Sequence, residues 1–332
     1  MESGSLTAEG RASHPLARPV AAQLPDKALK WILTGLSAAI LLLIAYFFLK
    51  LIGESEPVFS KYGFFNFIFT NEWVPSQQLY GALPLLVGTI ITSVVALAIG
   101  VPVAVASALY ITELAPKRVK QPLTILVELL AAVPSVVYGL WGVFVLIPRL
   151  RPAEQWFSDT FAFLPFVGGD VAGPNYFIAG LILAIMILPI VSAISREVMA
   201  TVPVEHKEAA LALGATRWEM IRMAVLPYSR AGITGASMLG LGRAIGETIA
   251  ATLVIGNAPD IGKTLFSQGY TLAAVIANEF GEAASDPTHR AALIAAGLVL
   301  FVFTLFINAG ARYFVIRSET ATSRNVPKGM AG

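Results

Sequence analysis

Arg243 and Glu247 stand four residues apart inside "GLGRAIGETIA", residues 240–250, in a run that is otherwise apolar from about 231 to 256. An arginine near the centre of a membrane-crossing helix costs about 2.5 to 3.5 kcal/mol on insertion scales, so something polar is expected to meet it. On a continuous helix a spacing of four puts both side chains on one face. Arg243 lies too deep for its stem to reach water, so the pair is expected to face the interior of a helix bundle. A guanidinium there offers a planar fork for two oxygens of an oxyanion. The other reading is a structural ion pair that locks this helix to a neighbour. Gly232, Gly235, Gly240, Gly242 and Gly246 strip the same helix of bulk, which serves close helix packing or lets a ligand reach Arg243.

Composition says what kind of element carries the pair. Of 332 residues, 56% are hydrophobic and 13% charged, with a mean hydropathy of +0.72, whereas soluble domains carry about a quarter charged residues. Six stretches reach the ~20 apolar residues that a helix needs to cross the hydrocarbon core: about 29–52, 84–110, 123–148, 176–195, 231–256 and 291–316. A barrel would need short alternating strands instead. The fold class is therefore all-α, a polytopic membrane protein with six transmembrane helices. The run from Trp31 to Ile52 is too long, and its polar leader too extended, for a cleaved signal, so it reads as an uncleaved anchor. Residues 1–28, with scattered Pro, Gly, Ser and Ala, read as a disordered tail. Residues 29–83 hold the anchor and an aromatic external segment, "FSKYGFFNFIFTNEW" at 59–73, suited to an interfacial belt or to a docking face. The membrane domain covers 84–316, and 317–332 form a C-terminal tail. With no cysteines, disulfides and thiolate chemistry are excluded. His14, His206 and His289 lie in separate polar segments and read as solvated, so no metal site is expected. A net charge of +2 selects no partner, nucleic acid included.

Lysines and arginines orient the spans. With the N-terminus inside, 16 fall in cytoplasmic segments and 6 outside, namely Lys50, Lys61, Arg149, Arg151, Lys263 and Arg290. Both termini are thus expected in the cytoplasm, with 196–230 as a cytoplasmic loop. That loop contains "VPVEHKEAALALGATRWEMIRMAVLP", residues 202–227. Strong helix formers run from Glu205 to Leu213, Gly214 suits a helix end, and Thr216 with Glu219 makes a capping box for a second helix. In that helix Trp218, Ile221 and Val225 share a face, and Pro227 is expected to stop it. Alanines 209, 210 and 212 leave the first helix thin enough for another protein to approach its backbone. The plainer reading is an amphipathic pair lying on the membrane.

Glu208, Ala209, Ala210, Gly214, Leu226 and Pro227 resemble the "EAA…G…LP" coupling motif of the permeases of binding-protein-dependent ABC importers. Four further segments, "NEWVP" at 71–75, "YGALPLLVGTI" at 80–90, "YITELAP" at 110–116 and "ELLAAVPSVVYGLWG" at 128–142, are similar to the C-type permeases of phosphate-specific importers, as is "GRAIGET". The likeness covers about residues 65–316. The A-type permeases of the same systems are similar too; Glu128, in the third expected span, favours the C type. The resemblance implies a type I ABC importer permease fold in the plasma (inner) membrane of a bacterium or archaeon. It also implies a loop seated in a cytoplasmic ATPase, whose closure it transmits. The implied partners are a second, A-type permease, two ATPase subunits, an external phosphate-binding protein and inorganic phosphate. ATP and Mg are used by the ATPase, and no cofactor is bound by this chain.

If phosphate is the substrate, Glu247 gains a use. Phosphate keeps a proton near neutral pH and sulfate does not, so a carboxylate accepts a hydrogen bond from one and repels the other. Glu247 then filters while Arg243 attracts; alternatively Glu247 only orients Arg243. Glu128 either braces the coupling loop or sits near the cytoplasmic interface. "GNAPDIGKT" at 256–264 has five residues between its first and last glycines where a phosphate-cradling P-loop has four, so the ATPase is expected on another subunit. An intramembrane enzyme is disfavoured: the expected spans hold no histidine, and "GASML" at 235–239 misses the G-x-S-x-G elbow. An ion-driven anion carrier could use Arg243 equally well, but would have no need of the coupling loop.

Overall fold

The computed structural model describes residues 24–323. Of the expected 1–28 tail, residues 1–23 lie outside them, as do 324–332 of the C-terminal tail. Residues up to Lys50 form one unit and those from Leu51 another. The first helix, α1 (Leu24–Tyr62), supplies the described part of the first unit, where it is apolar on all sides, the pattern of a helix solvated by lipid.

In the second unit, α3 (Leu83–Leu109) and α7 (Tyr176–Ala200) pack along their lengths. A Cβ on Gly180 would come within 2.5 Å of Val95, and one on Gly100 within 2.9 Å of Ile187, so glycine sets how closely the two backbones approach. Among the described residues five helices are long and apolar enough to cross a membrane, and a sixth is a broken one: residues Arg217–Ile245 and Ile249–Ile255 meet at 66°. The last span begins α13 (Pro287–Ser323). Between α1 and α3 lie a short helix, α2 (Phe64–Phe69), and a small hairpin of β1 (Trp73–Val74) and β2 (Leu79–Tyr80), with Trp73 opposite Tyr80.

Two expected spans are built differently. The third, expected over 123–148, is interrupted: α4 (Lys117–Ala132) ends before Val133 and Pro134, both extended, and α5 (Ser135–Trp141) starts after them. A proline pushes the residue before it out of the helical region and removes a backbone donor. The Tyr138 hydroxyl donates to the Leu130 carbonyl across the break at 2.8 Å. The candidate span is Ser135–Thr160, made of α5, a π turn over 142–146, and α6 (Ile147–Thr160). Glu128 therefore lies on α4 and not within a span.

The second difference concerns Pro227. Rather than stopping a helix, it sits in the first turn of α10 (Leu226–Ile245), which continues α9 (Arg217–Met220) through a π turn over 221–225. Inside a regular helix a proline ring collides with the carbonyl four residues back. The extra residue of a π turn shifts that register, so the helix runs on.

Candidate functional site

The broken fifth span brings Arg243 and Glu247 to a helix junction. Arg243 is in the last turn of α10, Gly246 caps that helix, and α11 (Ile249–Ile255) starts beyond Thr248. Unpaired carbonyls at a helix C-terminus favour a cation, and free N–H groups at an N-terminus favour an anion. Each side chain thus matches the end it occupies. Glu247 also accepts a hydrogen bond from the Ala250 backbone N–H at 3.3 Å. The spacing of four therefore reflects two helix ends and not one shared face. No ion pair joins the two residues among the described ones, and Arg243 is exposed on the surface of this chain, contrary to the expectation that the bundle would enclose it. Leu241, Ala244 and Ile245 around it are buried, so Arg243 occupies the outward side of the last turn of α10.

The glycines divide between the two roles expected of them. A Cβ on Gly232 would lie 2.5 Å from Val198, and one on Gly240 2.8 Å from Val191, so these two let α10 close on α7. Gly235 and Gly242 face open space, and Gly246 meets only the Gly242 carbonyl at 3.5 Å. This bare stripe adjoins Arg243.

The loop of 196–230 folds largely as its residues dictate. Helix α8 (Val204–Ala212) is followed by Gly214 at φ +84°, the left-handed conformation that glycine adopts without steric cost. Thr216 then caps α9 in a complete capping box with Glu219. Met220, Ile221 and Val225 pack with Ala108, Met199 and Val202, whereas Trp218 is exposed and does not share their face. Glu208 and Ala209 are exposed, Ala210 is half-buried against this core, Leu226 is half-buried, and Leu213 is 90% exposed at the turn. Lys207 holds α8 to the end of the second span through a 2.7 Å ion pair with Glu113, which is 8% exposed. Arg196, near the end of α7, donates to Glu128 at 3.1 Å and to Thr124 at 2.8 Å, tying α4 to the helix that leads into the loop.

Two groups escape sequence reasoning. His289, expected to be solvated, is 5% exposed and lies 2.8 Å from Glu279, whose same oxygen accepts from the Trp73 indole at 2.9 Å. Tyr80 stacks on His289, and Phe67, Trp73 and Tyr80 are buried. The 59–73 aromatics are thus partly a packed core, with Phe64, Phe65 and Phe69 left exposed. Glu154, 4% exposed, faces Asn175, the cap of α7, at 3.4 Å. Sequence spacing placed it beyond the third span; Pro134 was the signal that moves the span over it.

"GNAPDIGKT" follows the end of α11 and pairs with Gly269 instead of opening a helix; the next, α12 (Leu272–Glu279), begins eight residues past Thr264. A P-loop needs the helix N-terminus that this segment lacks.

Known proteins can now be set beside this geometry. A protein-family model described as "Binding-protein-dependent transport system inner membrane component" matches residues 99–319. The "Phosphate transport system permease protein PstC" of Pasteurella multocida (strain Pm70) is 42% identical over 290 residues, covering 86% of this chain and 90% of that protein. The protein of the same description from Mesorhizobium japonicum is 44% identical over 296 residues, covering 87% and 90%. PstC 2 of Mycobacterium tuberculosis is 47% identical over 241 residues, covering 71% and 74%. Among solved structures, a chain of a bacterial ABC transporter involved in the import of the acidic polysaccharide alginate aligns with a TM-score of 0.57 at 17% identity, covering 89% of this chain and 99% of that one. This last likeness concerns the fold.

Proposed function

Because the chain belongs to the binding-protein-dependent transport system inner membrane components, we propose that it is the C-type permease subunit of an ATP-driven importer of inorganic phosphate, forming half of the translocation pathway. The observation that carries this reading is the 42 to 44% identity to phosphate transport permeases across nine-tenths of their length. The choice of C type over A type rests on the same relatives.

The geometry supplies a working hypothesis for each part. Arg243 is an exposed cation on a candidate span, and lipid is a poor neighbour for it. A second permease, of A type, closes that face in our reading, so that the pathway runs between two chains and Arg243 borders it. Phosphate moves along the stripe of Gly235, Gly242 and Gly246, and the guanidinium fork holds two of its oxygens. One Glu247 oxygen is engaged with the Ala250 N–H, which leaves the other for the proton that phosphate keeps. Sulfate, without that proton, meets only repulsion.

On the other side, α8 and the turn at Gly214 dock into one of two ATPase subunits, with Glu208, Ala209, Ala210, Leu226 and Pro227 completing the coupling loop. The Lys207–Glu113 and Arg196–Glu128 pairs carry its displacement into α3, α4 and α7. ATP and Mg bind to those subunits and no cofactor to this chain. Both termini are cytoplasmic, and an external phosphate-binding protein delivers the anion. The test is ATPase stimulation by phosphate, arsenate and sulfate in liposomes that hold the full complex. Stimulation by the binding protein loaded with phosphate, and none by sulfate, is expected. Transport driven by an ion gradient without ATP hydrolysis overturns the reading.

A further inference from the structure

In an unbroken helix the Leu130 carbonyl would accept from the N–H of residue 134, and Pro134 has none. The Tyr138 hydroxyl stands in for it at 2.8 Å, beside a turn bond of 3.4 Å from the Val133 N–H. Tyr138 is 9% exposed and shares a buried core with Ala244, which follows Arg243, and with Ala250 and Val254 of α11. The Arg243 guanidinium is near enough to act electrostatically on the same hydroxyl. The next residue, Gly139, lets α5 close on α11: a Cβ there would lie 2.6 Å from Leu253 and 3.2 Å from the Ala250 backbone. Ala250 is the residue whose N–H donates to Glu247. On the other side of the break, Glu128 and Thr124 tie α4 to Arg196 at 3.1 and 2.8 Å. Contacts of the kind that carry coupling thus lead from Arg196, at the entrance to the loop of 196–230, through Tyr138 to the helix junction of Arg243 and Glu247.

Given the importer function proposed for this chain, we infer that Tyr138 is a positioning residue for transport: its hydroxyl locks α4 to α5, so that a displacement of α4 by the cytoplasmic loop moves α5, and with it α11 and the Glu247 carboxylate. Without that bond the break is a joint that absorbs the movement, since Val133 and Pro134 are extended and a turn bond is what remains across them. In this role the hydroxyl does not touch the anion, so the affinity for phosphate and the coupling of its passage to ATP are separable.

The test is Tyr138→Phe, which keeps the ring in its core and removes the donor. Phosphate uptake and ATP hydrolysis are measured together in liposomes that hold the full complex. Insertion and the half-saturating phosphate concentration should match the parent, while phosphate taken up per ATP falls about fivefold, as the loss of one hydrogen bond shifts an equilibrium. Gly139→Ala leaves the donor in place, pries α5 from α11 and should lower the same ratio; it decides the matter if Tyr138→Phe fails to assemble. An unchanged ratio in either assembled variant overturns the proposal. A rise of about tenfold in half-saturating phosphate for Tyr138→Phe overturns it too, because the hydroxyl then touches the anion. The parent tests the importer function separately: phosphate uptake without ATP hydrolysis fails that function, whereas a coupled parent beside an equally coupled Tyr138→Phe fails only the role of Tyr138.

Discussion

A guanidinium in the last turn of α10 and a carboxylate just before the N-cap of α11, accepting from the Ala250 N–H, are each favoured by the partial charge of the helix end beside them, by about 0.3 to 1 kcal/mol at a surface and more where water is scarce. That stabilisation offsets part of what it costs to keep Arg243 in a membrane span, and it does so without an ion pair between the two residues. It also separates two possible duties of Glu247. Glu247→Gln keeps an amide oxygen to accept from the Ala250 N–H while removing the charge, so the junction should persist and sulfate should gain on phosphate in liposome uptake. Arsenate, which also keeps a proton near neutral pH, should follow phosphate. Arg243→Lys keeps the charge but removes the planar fork, and should cut phosphate uptake by about tenfold to a hundredfold, the loss of a charged hydrogen bond, with normal insertion. If Arg243→Met with Glu247→Leu leaves uptake intact, the pair serves only the junction and the pathway lies elsewhere.

At the scale of elements, the most legible part of the sequence was the loop of 196–230, because caps and turns are written in single residues. Gly214, Thr216 and Glu219 each act within three or four positions, and the structure gives each its expected part. The errors came where one residue competes with a regular helix. Pro134 breaks the third span although the hydropathy on both sides is continuous, since averaging over a window hides a single missing N–H. Pro227 fails to break anything, because a π turn absorbs it, and such a turn leaves no mark in the pattern of apolar residues. The bend in the fifth span was hidden in the same way, Gly246 being one glycine among five. A test at this scale uses the residue whose conformation is most demanding. Gly214→Val puts a β-branched side chain at φ +84°, a strain of about 1 to 3 kcal/mol. The open space around its Cβ position means that strain, and not a clash, is the effect. ATPase activity of the full complex should lose its response to substrate while the protein still inserts. An unchanged response at normal expression counts against the loop assignment.

For the molecule as a whole, the number and class of the elements could be read from hydropathy, whereas the position of the site relative to the fold could not. A helix bundle read as a sequence suggests an interior, and Arg243 was assigned to it. The folded chain instead leaves Arg243 on its surface, with the bare glycine stripe beside it. Nothing in one chain's periodicity says whether an exposed polar face lies opposite another subunit. In the proposed function, the charge bias of the loops sets which end of that face meets the binding protein and which end meets the ATPases. With no native cysteine to interfere, this orientation is open to labelling. Leu213→Cys lies at the turn after α8 and Phe163→Cys in the loop between α6 and α7; the parent residues are 90% and 78% exposed. A membrane-impermeant maleimide should modify position 163 in intact cells and position 213 only after permeabilisation. Assembly with the ATPase subunits should then protect position 213, as the proposed docking of the turn requires. Modification of position 213 in intact cells would reverse the orientation, and the turn at Gly214 could then meet neither ATP nor the subunits that hydrolyse it.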